Sequence, residues 1–178
     1  MDKNHKLLFH GAKSRIEGKL DIHKSRTNND LGQGFYTGER YEQAISFISG
    51  FEKSSVYIFD FKEEGLKGKK YNVNQEWMMT IAYYRGVLEE YENHPIIKKL
   101  IEKSCDCDYI IAPIADNRMF QIINSFIMGE ITDEQCKHCL AATNLGYQYV
   151  FKSDKAIKSL KMLERCASNG FMSPFICV

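Results

Sequence analysis

A short apolar run near the start of the chain, residues 6–11, ends in His10 and Gly11. This pattern is typical of a buried strand that stops at an edge facing a ligand. A neutral imidazole has one donor and one acceptor nitrogen, which suits hydrogen bonding to a sugar hydroxyl. The structural alternative is a histidine that bonds only backbone at the end of the strand.

The segment at residues 30–37, Asp-Leu-Gly-Gln-Gly-Phe-Tyr-Thr, is a second place where a ligand could be held. Glycine tolerates positive φ and close approach of the backbone, so this segment can turn sharply and present main-chain N–H groups beside an aromatic ring. A tight turn before a strand is the structural alternative, because a lone Gly-x-Gly is a weak motif. The candidate ligand contacts here are Asp30, Gly34, Phe35 and Tyr36.

Polar side chains also follow a buried strand predicted at residues 108–115. Asp116, Asn117 and Arg118 stand directly before a helix predicted at residues 119–128. A helix N-terminus offers unpaired N–H groups and a favourable dipole, so Asp116 and Asn117 are candidates for ligand contact. The alternative for Asp116 is a cap on that helix.

A glutamine interrupts the last strong strand, predicted at residues 147–151. Strand alternation places Gln148 and Val150 on one face and the three aromatic residues of the strand on the other. A buried amide must have its hydrogen bonds satisfied. Gln148 is therefore either bonded to neighbouring backbone or reserved for a ligand.

Trp77 is the only tryptophan of the chain. It lies in the first turn of a helix that Asn74 can cap. A large aromatic residue at this position is either an anchor of the core or an aromatic wall of a binding pocket. We keep both interpretations and include Trp77 among the candidate ligand contacts.

The elements that must position these residues alternate unequally along the chain, which fits one α+β domain over residues 1–178 better than a regular doubly wound sheet. Helices are predicted at residues 39–49, 75–86, 95–104, 119–128, 132–140 and 153–164, strands at 6–11, 55–61, 108–115 and 147–151, a turn at 67–70, and an irregular tail at 165–178. The sequence has no Walker loop, Gly-x-Gly-x-x-Gly, Gly-x-Ser-x-Gly or His-Glu-x-x-His motif.

The charge balance is even, with 24 Lys+Arg against 23 Asp+Glu. A formal charge of +1 gives no overall attraction for nucleic acid or an anionic membrane. The first thirty residues do lean basic, which suits either a local phosphate site or a solvated surface. No apolar run approaches the roughly 18 residues of a membrane helix, and the start lacks a signal-peptide pattern, so we expect a cytoplasmic protein.

Six cysteines occur in the chain. In a reducing compartment we expect them to be free thiols. Cys105, Cys107, Cys136 and Cys139 form two metal-like pairs, with His138 inside the second. Structural zinc sites usually take their ligands from tight turns, whereas the second pair lies inside a predicted helix. We therefore expect no metal.

Three separated pieces of this sequence resemble the layout of the ADP-ribosyltransferase fold in its His–Tyr–Glu branch. They are the strand end at His10-Gly11, the glycine segment with Tyr36, and the strand residue Gln148. More narrowly, the chain resembles an uncharacterised bacterial family near that fold, in which a Trp-bearing helix and an Ala-Pro-x-Ala-Asp turn also recur. The likeness covers about residues 6–162.

This resemblance implies small mixed and antiparallel sheets that form a central cleft, surrounded by helices, with NAD bound in the cleft as a substrate. It assigns His10 to the adenosine-side ribose and Tyr36 to the nicotinamide ring, where stacking on a cation gains about 0.5–2 kcal/mol. The other implied cofactor contacts are Gly11, Asp30, Gly34, Phe35, Trp77 and Asn117. The implied reaction transfers ADP-ribose from NAD to an unknown macromolecular acceptor, as in a bacterial toxin or defence effector.

The sequence departs from the resemblance at the third residue, where a glutamate usually holds the ribose hydroxyl and polarises the reacting centre. Gln148 can bond the hydroxyl, but it has no charge and cannot act as a general base. We expect a carboxylate nearby to help, with Asp116 the first candidate and Asp30 the second. The predicted catalytic set is therefore Tyr36, Gln148 and Asp116.

Other functions remain open from the sequence. The departure at Gln148 also suits a module that binds NAD or an ADP-ribosyl group without turnover, or an NAD glycohydrolase. A third hypothesis is an interaction domain stabilised by metal at the two cysteine pairs.

Overall fold

The computed structural model of the protein describes residues 5–142, 145–167 and 176–177. Their strands form one mixed sheet of eight strands, in the order β4-β5-β6-β2-β1-β3-β7-β8. Only β4 and β5 are parallel neighbours. The strands are β1 (His5–Ala12), β2 (Phe35–Gly38), β3 (Ser55–Lys62), β4 (Gly68–Lys70), β5 (Tyr109–Pro113), β6 (Tyr147–Phe151), β7 (Leu160–Ala167) and β8 (Ile176–Cys177).

Helices connect these strands and cover the sheet. They are α1 (Tyr41–Ile48), α2 (Gln75–Tyr84), α3 (Pro95–Cys105), α4 (Asn117–Ile127), α5 (Asp133–Ala141) and α6 (Asp154–Lys158). Two short 3-10 turns span Ile22–Lys24 and Glu89–Tyr91. The predicted α+β class is confirmed.

The sheet consists of two halves that meet at one point. β1 and β3 pair along their whole lengths, from His5 opposite Lys62 to Ala12 opposite Ser55. β2 pairs along its whole length with β6. Between β1 and β2, however, only Phe9 and Gly38 are in register. The backbone pairing between the two halves is therefore limited to this one position, where β1 and β2 lie side by side.

The two larger cores lie on opposite faces of the sheet. Helices α2 to α5 pack on one face of β5 and β6, around the fully buried Trp77, Ile81 and Ile110. The opposite face carries an aromatic cluster that includes Phe59 and Phe151. Strand alternation explains this division, since Val150 belongs to the first core while Tyr149 and Phe151 belong to the second. The predicted faces of the strand at residues 147–151 are confirmed.

Several helix starts predicted from caps are also confirmed. The Asn74 side chain accepts a hydrogen bond from the Trp77 N–H at 2.9 Å. Thr132 accepts from the Gln135 N–H at 3.2 Å. Pro95 occupies the first turn of α3, where the missing N–H would be unpaired anyway.

The helix predicted at residues 153–164 is wrong in its second half. Ser153 does cap α6, accepting from the Ala156 N–H at 3.1 Å, but α6 ends at Lys158 and β7 follows. Leu, Lys, Met and Glu in this region favour a helix locally. Pairing with β3 overrides that preference, because it supplies a ladder of backbone hydrogen bonds and buries Leu160 and Cys166.

Two other predictions need correction. The predicted turn at residues 67–70 contains the edge strand β4, which pairs with Tyr109–Ile111 of β5. The tail predicted to be irregular contains β8, which pairs with the end of β7. The rest of that tail after Ala167 lies outside the described residues.

The cysteines are not all free thiols. Cys105, Cys107, Cys136 and Cys139 are free. Cys166 is disulfide-bonded, which contradicts the expectation drawn from a reducing compartment. Within the described ranges, no helix is long and apolar enough to cross a membrane.

Candidate functional site

Three neighbouring strands carry the three pieces that the sequence singles out. His10 lies on β1, Tyr36 on β2 and Gln148 on β6. Gly38 of β2 is opposite Phe9 on one side and opposite Gln148 on the other. Residues more than a hundred positions apart in the chain are thus brought to the junction of the two half-sheets.

His10 bridges this junction. Its Nδ1 lies 2.6 Å from the carbonyl oxygen of Tyr36, and a carbonyl can only accept, so Nδ1 carries the proton. Burial lowers the pKa of His10 below its ordinary value, and the hydrogen bond to Tyr36 only partly opposes this. The imidazole is therefore neutral, and its Nε2 is left as an acceptor. Its ring stacks on Phe35, with centroids 4.4 Å apart.

The alternative interpretation of His10 as a backbone-bonding residue is thus confirmed, and the same bond leaves the other ring nitrogen as an acceptor. No hydrogen bond to Nε2 is present among the described residues. Gly11 is buried beside it, and a side chain there would meet the Ala44 carbonyl of α1. Gly11 therefore serves the packing of α1 on β1.

The glycine segment forms a tight turn, as its structural alternative predicts. Gly32 has a φ of +74°, and a Cβ there would lie 2.5 Å from the Tyr84 ring. A Cβ at Gly34 would lie 2.7 Å from the carbonyl oxygen of Phe151. Gly34 therefore allows the close approach of the start of β2 to β6.

The turn is held by partly buried polar side chains. Lys152 donates to the carbonyl oxygens of Leu31 and Gln33 at 2.7 and 2.6 Å. The Tyr36 hydroxyl donates to the Gly32 carbonyl at 2.5 Å and accepts from the Leu31 N–H at 3.2 Å. Burial raises the pKa of Tyr36 far above its ordinary value. Tyr36 therefore stays protonated, and its hydroxyl fixes the orientation of its ring.

Arg85 links the glycine segment to the turn after β5. Its Nε donates to Asp30 Oδ1 at 2.7 Å, its Nη2 to the Ala115 carbonyl at 3.1 Å, and its Nη1 to Asn117 Oδ1 at 3.3 Å. The guanidinium also lies 4.5 Å from the centroid of the Phe120 ring. Both charged side chains are mostly buried, at 14% exposure for Asp30 and 19% for Arg85.

Sequence reasoning missed this role of Arg85. Two features of the sequence could have indicated it. Arg85 is a cation at the end of the helix that contains Trp77. Asp30, if buried, would need a cation as its partner. Helical spacing alone gives Arg85 no such meaning, because a basic residue in the last turn ordinarily complements the helix dipole.

Asp30 is the carboxylate that lies beside Gln148. Burial raises the pKa of Asp30 above its ordinary value, while Arg85, Gln148 and the backbone at Ala115 act in the opposite direction. The Gln148 side chain is buried, and its Nε2 donates to the Pro113 carbonyl at 3.3 Å. With its amide hydrogens directed to Pro113 and Asp30, the Gln148 carbonyl oxygen is the atom left to accept a hydrogen bond.

The Asp116 side chain lies outside this network. It accepts from the Met119 N–H at 2.8 Å and is exposed at the start of α4. The capping interpretation of Asp116 is thus confirmed. Its neighbour Asn117 joins the network through Arg85, so the second carboxylate candidate, Asp30, is the one placed beside Gln148.

Trp77 is an anchor of the core. It has 0% exposure and packs among the residues of α2, α4 and β5, so it has no surface to offer a ligand. Its indole Nε1 is buried without a hydrogen-bond partner among the described residues.

The cysteine pairs do not assemble a ligand cluster. The Cys136 Sγ lies in the core, 3.3 Å from the Met78 sulfur. Burial raises the pKa of Cys107 and of Cys136 to about 11, so both thiols stay protonated. Within the part of the chain that the structure describes, no three His, Cys, Asp or Glu side chains come together in a way that could hold a metal ion.

Replacing Arg85 with Met tests the polar network. We expect a loss of roughly 3 kcal/mol in the free energy of unfolding, because Asp30 would remain buried without its cation. Urea denaturation measures this loss. The control is Lys137→Met, which removes a pair with Asp133 whose side chains are 41% and 37% exposed, and which should change stability by less than about 1 kcal/mol. Equal losses of unfolding free energy in Arg85→Met and Lys137→Met would contradict the network. It would also be contradicted if the losses of Arg85→Met and Asp30→Asn simply added in the double variant, because coupled residues are not additive.

The pH dependence of stability tests the neutral state of His10. As pH falls below the ordinary value of 6.5, the unfolded chain takes up a proton that the folded protein resists, so folded stability decreases down through the lower folded pKa. The variant His10→Gln lacks this loss. We expect the parent's unfolding free energy, relative to that variant, to fall between about pH 7 and pH 5, by at most about 1.4 kcal/mol per pH unit. Parallel pH profiles would rule out a buried neutral imidazole.

Comparison with known proteins bears on the whole of this site. Residues 7–162 match the family described as "Protein of unknown function (DUF3990)". No curated protein and no solved structure matches the chain. The matched region runs from β1 into β7 and includes His10, Asp30, Tyr36, Arg85 and Gln148. Since the match covers most of the sequence, this chain belongs to the DUF3990 family.

Proposed function

We propose that this protein binds NAD at the junction of β1 and β2 and transfers its ADP-ribose group to a macromolecular acceptor, in the manner of an ADP-ribosyltransferase. The observation that carries the proposal is the hydrogen bond from His10 Nδ1 to the Tyr36 carbonyl, 2.6 Å long, between half-sheets that share one register pair. This bond leaves Nε2 as an acceptor at the point where the strands separate, which suits a ribose hydroxyl.

Tyr36 has the second role in this proposal. Its hydroxyl is anchored to the Gly32 carbonyl, so the ring is held in one orientation before any ligand arrives. A fixed ring binds a flat cationic nicotinamide with less loss of conformational entropy than a free one. In this proposal the aromatic face, and not the phenol proton, is what Tyr36 contributes to binding.

Gln148 and Asp30 together take the place of a glutamate. Cleavage of the bond between nicotinamide and ribose builds positive charge on the sugar, which a nearby anion stabilises. Gln148 has no charge, but its carbonyl oxygen is left to accept from a ribose hydroxyl. Asp30 supplies a negative charge beside it, held by Arg85. In this proposal the negative charge is therefore on Asp30, a neighbour of Gln148 in space, and not on the strand residue where a glutamate would carry it.

A second candidate function is a module that binds NAD or an ADP-ribosyl group without turnover. Two hydrogen bonds favour it. Gln148 donates to the Pro113 carbonyl, and Asp30 accepts from Arg85. The Arg85 cation partly neutralises the negative charge of Asp30 that would stabilise a reacting sugar. Release of nicotinamide to water, as in an NAD glycohydrolase, is a third outcome of the same site. A bacterial toxin or defence effector is the setting that a transferase would fit.

NAD titration by calorimetry, combined with an assay for nicotinamide release and label transfer in lysate, tests these functions. We expect saturable binding that weakens about tenfold or more in His10→Ala, since one hydrogen bond to the ligand is lost. Tyr36→Phe keeps the ring but loses its anchor to Gly32, so it should bind more weakly than the parent. Tyr36→Ala also loses the stacking contact and should bind more weakly still.

The outcomes separate the candidates. Label transfer supports the transferase, nicotinamide release without transfer supports the glycohydrolase, and binding without release supports the module. Absence of NAD binding, or binding that His10→Ala leaves unchanged, would overturn all three. Thermal unfolding of each variant is the control for loss of fold.

A further inference from the structure

Two exposed phenylalanines lie near the end of α1, away from the network around Asp30. Phe47 is 64% exposed and Phe51 is 43% exposed. The Lys13 ammonium lies 5.2 Å from the centroid of the Phe47 ring and 4.5 Å from that of Phe51. The packing of α1 against β1 and β3 uses Ala44 and Ile48, so neither exposed ring is needed for that core.

A basic pocket adjoins these rings. Its volume is about 580 Å³, and it is lined by Ser14, Arg15, Glu17, Lys24 and Lys53. Ser14 follows Lys13 in the chain and Lys53 lies two residues after Phe51, so the chain segments beside the rings also line the pocket. We call Lys13, Arg15, Lys24, Phe47, Phe51 and Lys53 the aromatic–basic surface.

We propose that the aromatic–basic surface binds single-stranded nucleic acid. Exposed aromatic rings beside a groove of cations are the combination that such ligands need, since bases stack on rings while phosphates pair with Lys and Arg. Three cations against the single acid Glu17 give the pocket local positive charge, although the whole chain has a formal charge of only +1. Duplexes fit this surface less well, because their bases are already stacked inside the helix.

An anionic lipid surface is the other partner that cations and aromatic rings could meet. The concave shape of the basic pocket favours a nucleic-acid strand, because a phosphate can enter it, whereas a flat membrane contacts protruding residues.

The surface also begins close to the proposed NAD site. Lys13 is three residues after His10 along the direction of β1, which corresponds to roughly 10 Å at about 3.3 Å per residue.

The test is fluorescence anisotropy with a labelled single-stranded oligonucleotide of about 12 nucleotides, a length within the usual range of such sites. We expect saturable binding at low salt that weakens as salt rises. The double variant Phe47→Ala/Phe51→Ala should bind at least about tenfold more weakly, as loss of base stacking requires. Lys53→Gln should reduce the salt dependence by the equivalent of about one phosphate contact.

Matched controls come from exposed apolar residues on other elements. Tyr91 is 50% exposed and Met162 is 58% exposed, and Tyr91→Ala/Met162→Ala should leave oligonucleotide binding unchanged. Absence of binding at low salt would overturn the proposal. So would binding that the Phe47/Phe51 variant leaves unaffected, equal affinity for duplex and single strand, or binding only to vesicles that contain phosphatidylserine. NAD titration of the same variants is a separate measurement, so failure here leaves the proposed NAD site standing and the reverse also holds.

Discussion

The narrow connection between β1 and β2 is the constraint on which the rest of the structure depends. Two half-sheets share one register pair at Phe9 and Gly38, and one aromatic cluster spans both of them. A sheet that separates there leaves backbone groups that need other partners. His10 supplies one of them by donating from Nδ1 to the Tyr36 carbonyl. The same bond sets the tautomer of the imidazole, and it leaves Nε2 as the hydrogen-bond acceptor that the proposed NAD site uses.

The second requirement is a rigid turn in front of β2. Gly32 and Gly34 permit the close approach of the chain to Tyr84 and to Phe151, while Lys152 and the Tyr36 hydroxyl occupy the carbonyls of the turn. Every one of these contacts is internal to the protein. A rigid turn therefore holds Asp30 in place beside Gln148, and Arg85 balances the buried charge. In the proposed reaction, the role of Gln148 depends on this whole arrangement and does not belong to one residue.

Much of the fold follows from local sequence. Caps at Asn74 and Thr132 and the alternation around Gln148 predicted elements that the structure contains, because those signals act within a few residues. The strand β7 could not be predicted in this way. Its residues favour a helix, and only pairing with β3, a hundred residues earlier in the chain, makes it a strand. The strand β4 could not be predicted from local sequence for the same reason, because it pairs with the distant residues Tyr109–Ile111 of β5.

The candidate site shows the same division. Patterns in the sequence singled out His10 at the end of an apolar run, Tyr36 in the glycine segment and Gln148 inside an apolar strand. They gave Asp116 precedence over Asp30, since a carboxylate at the end of a strand looks available, whereas in the structure Asp116 caps α4. The partnership of Asp30 with Arg85 joins residues 55 positions apart and has no local signature. Burial distinguishes Asp30, which lies inside the polar network, from the exposed Asp116, and burial depends on the packing of the whole molecule.

The ¹⁵N resonances of the His10 imidazole, followed by NMR while NAD is added, test the central claim most directly. The account predicts a neutral ring with the proton on Nδ1 before ligand is added, and a shift of the Nε2 resonance toward a hydrogen-bonded value as NAD saturates the site. A ring protonated on Nε2, or an Nε2 resonance that NAD leaves unmoved, would contradict it.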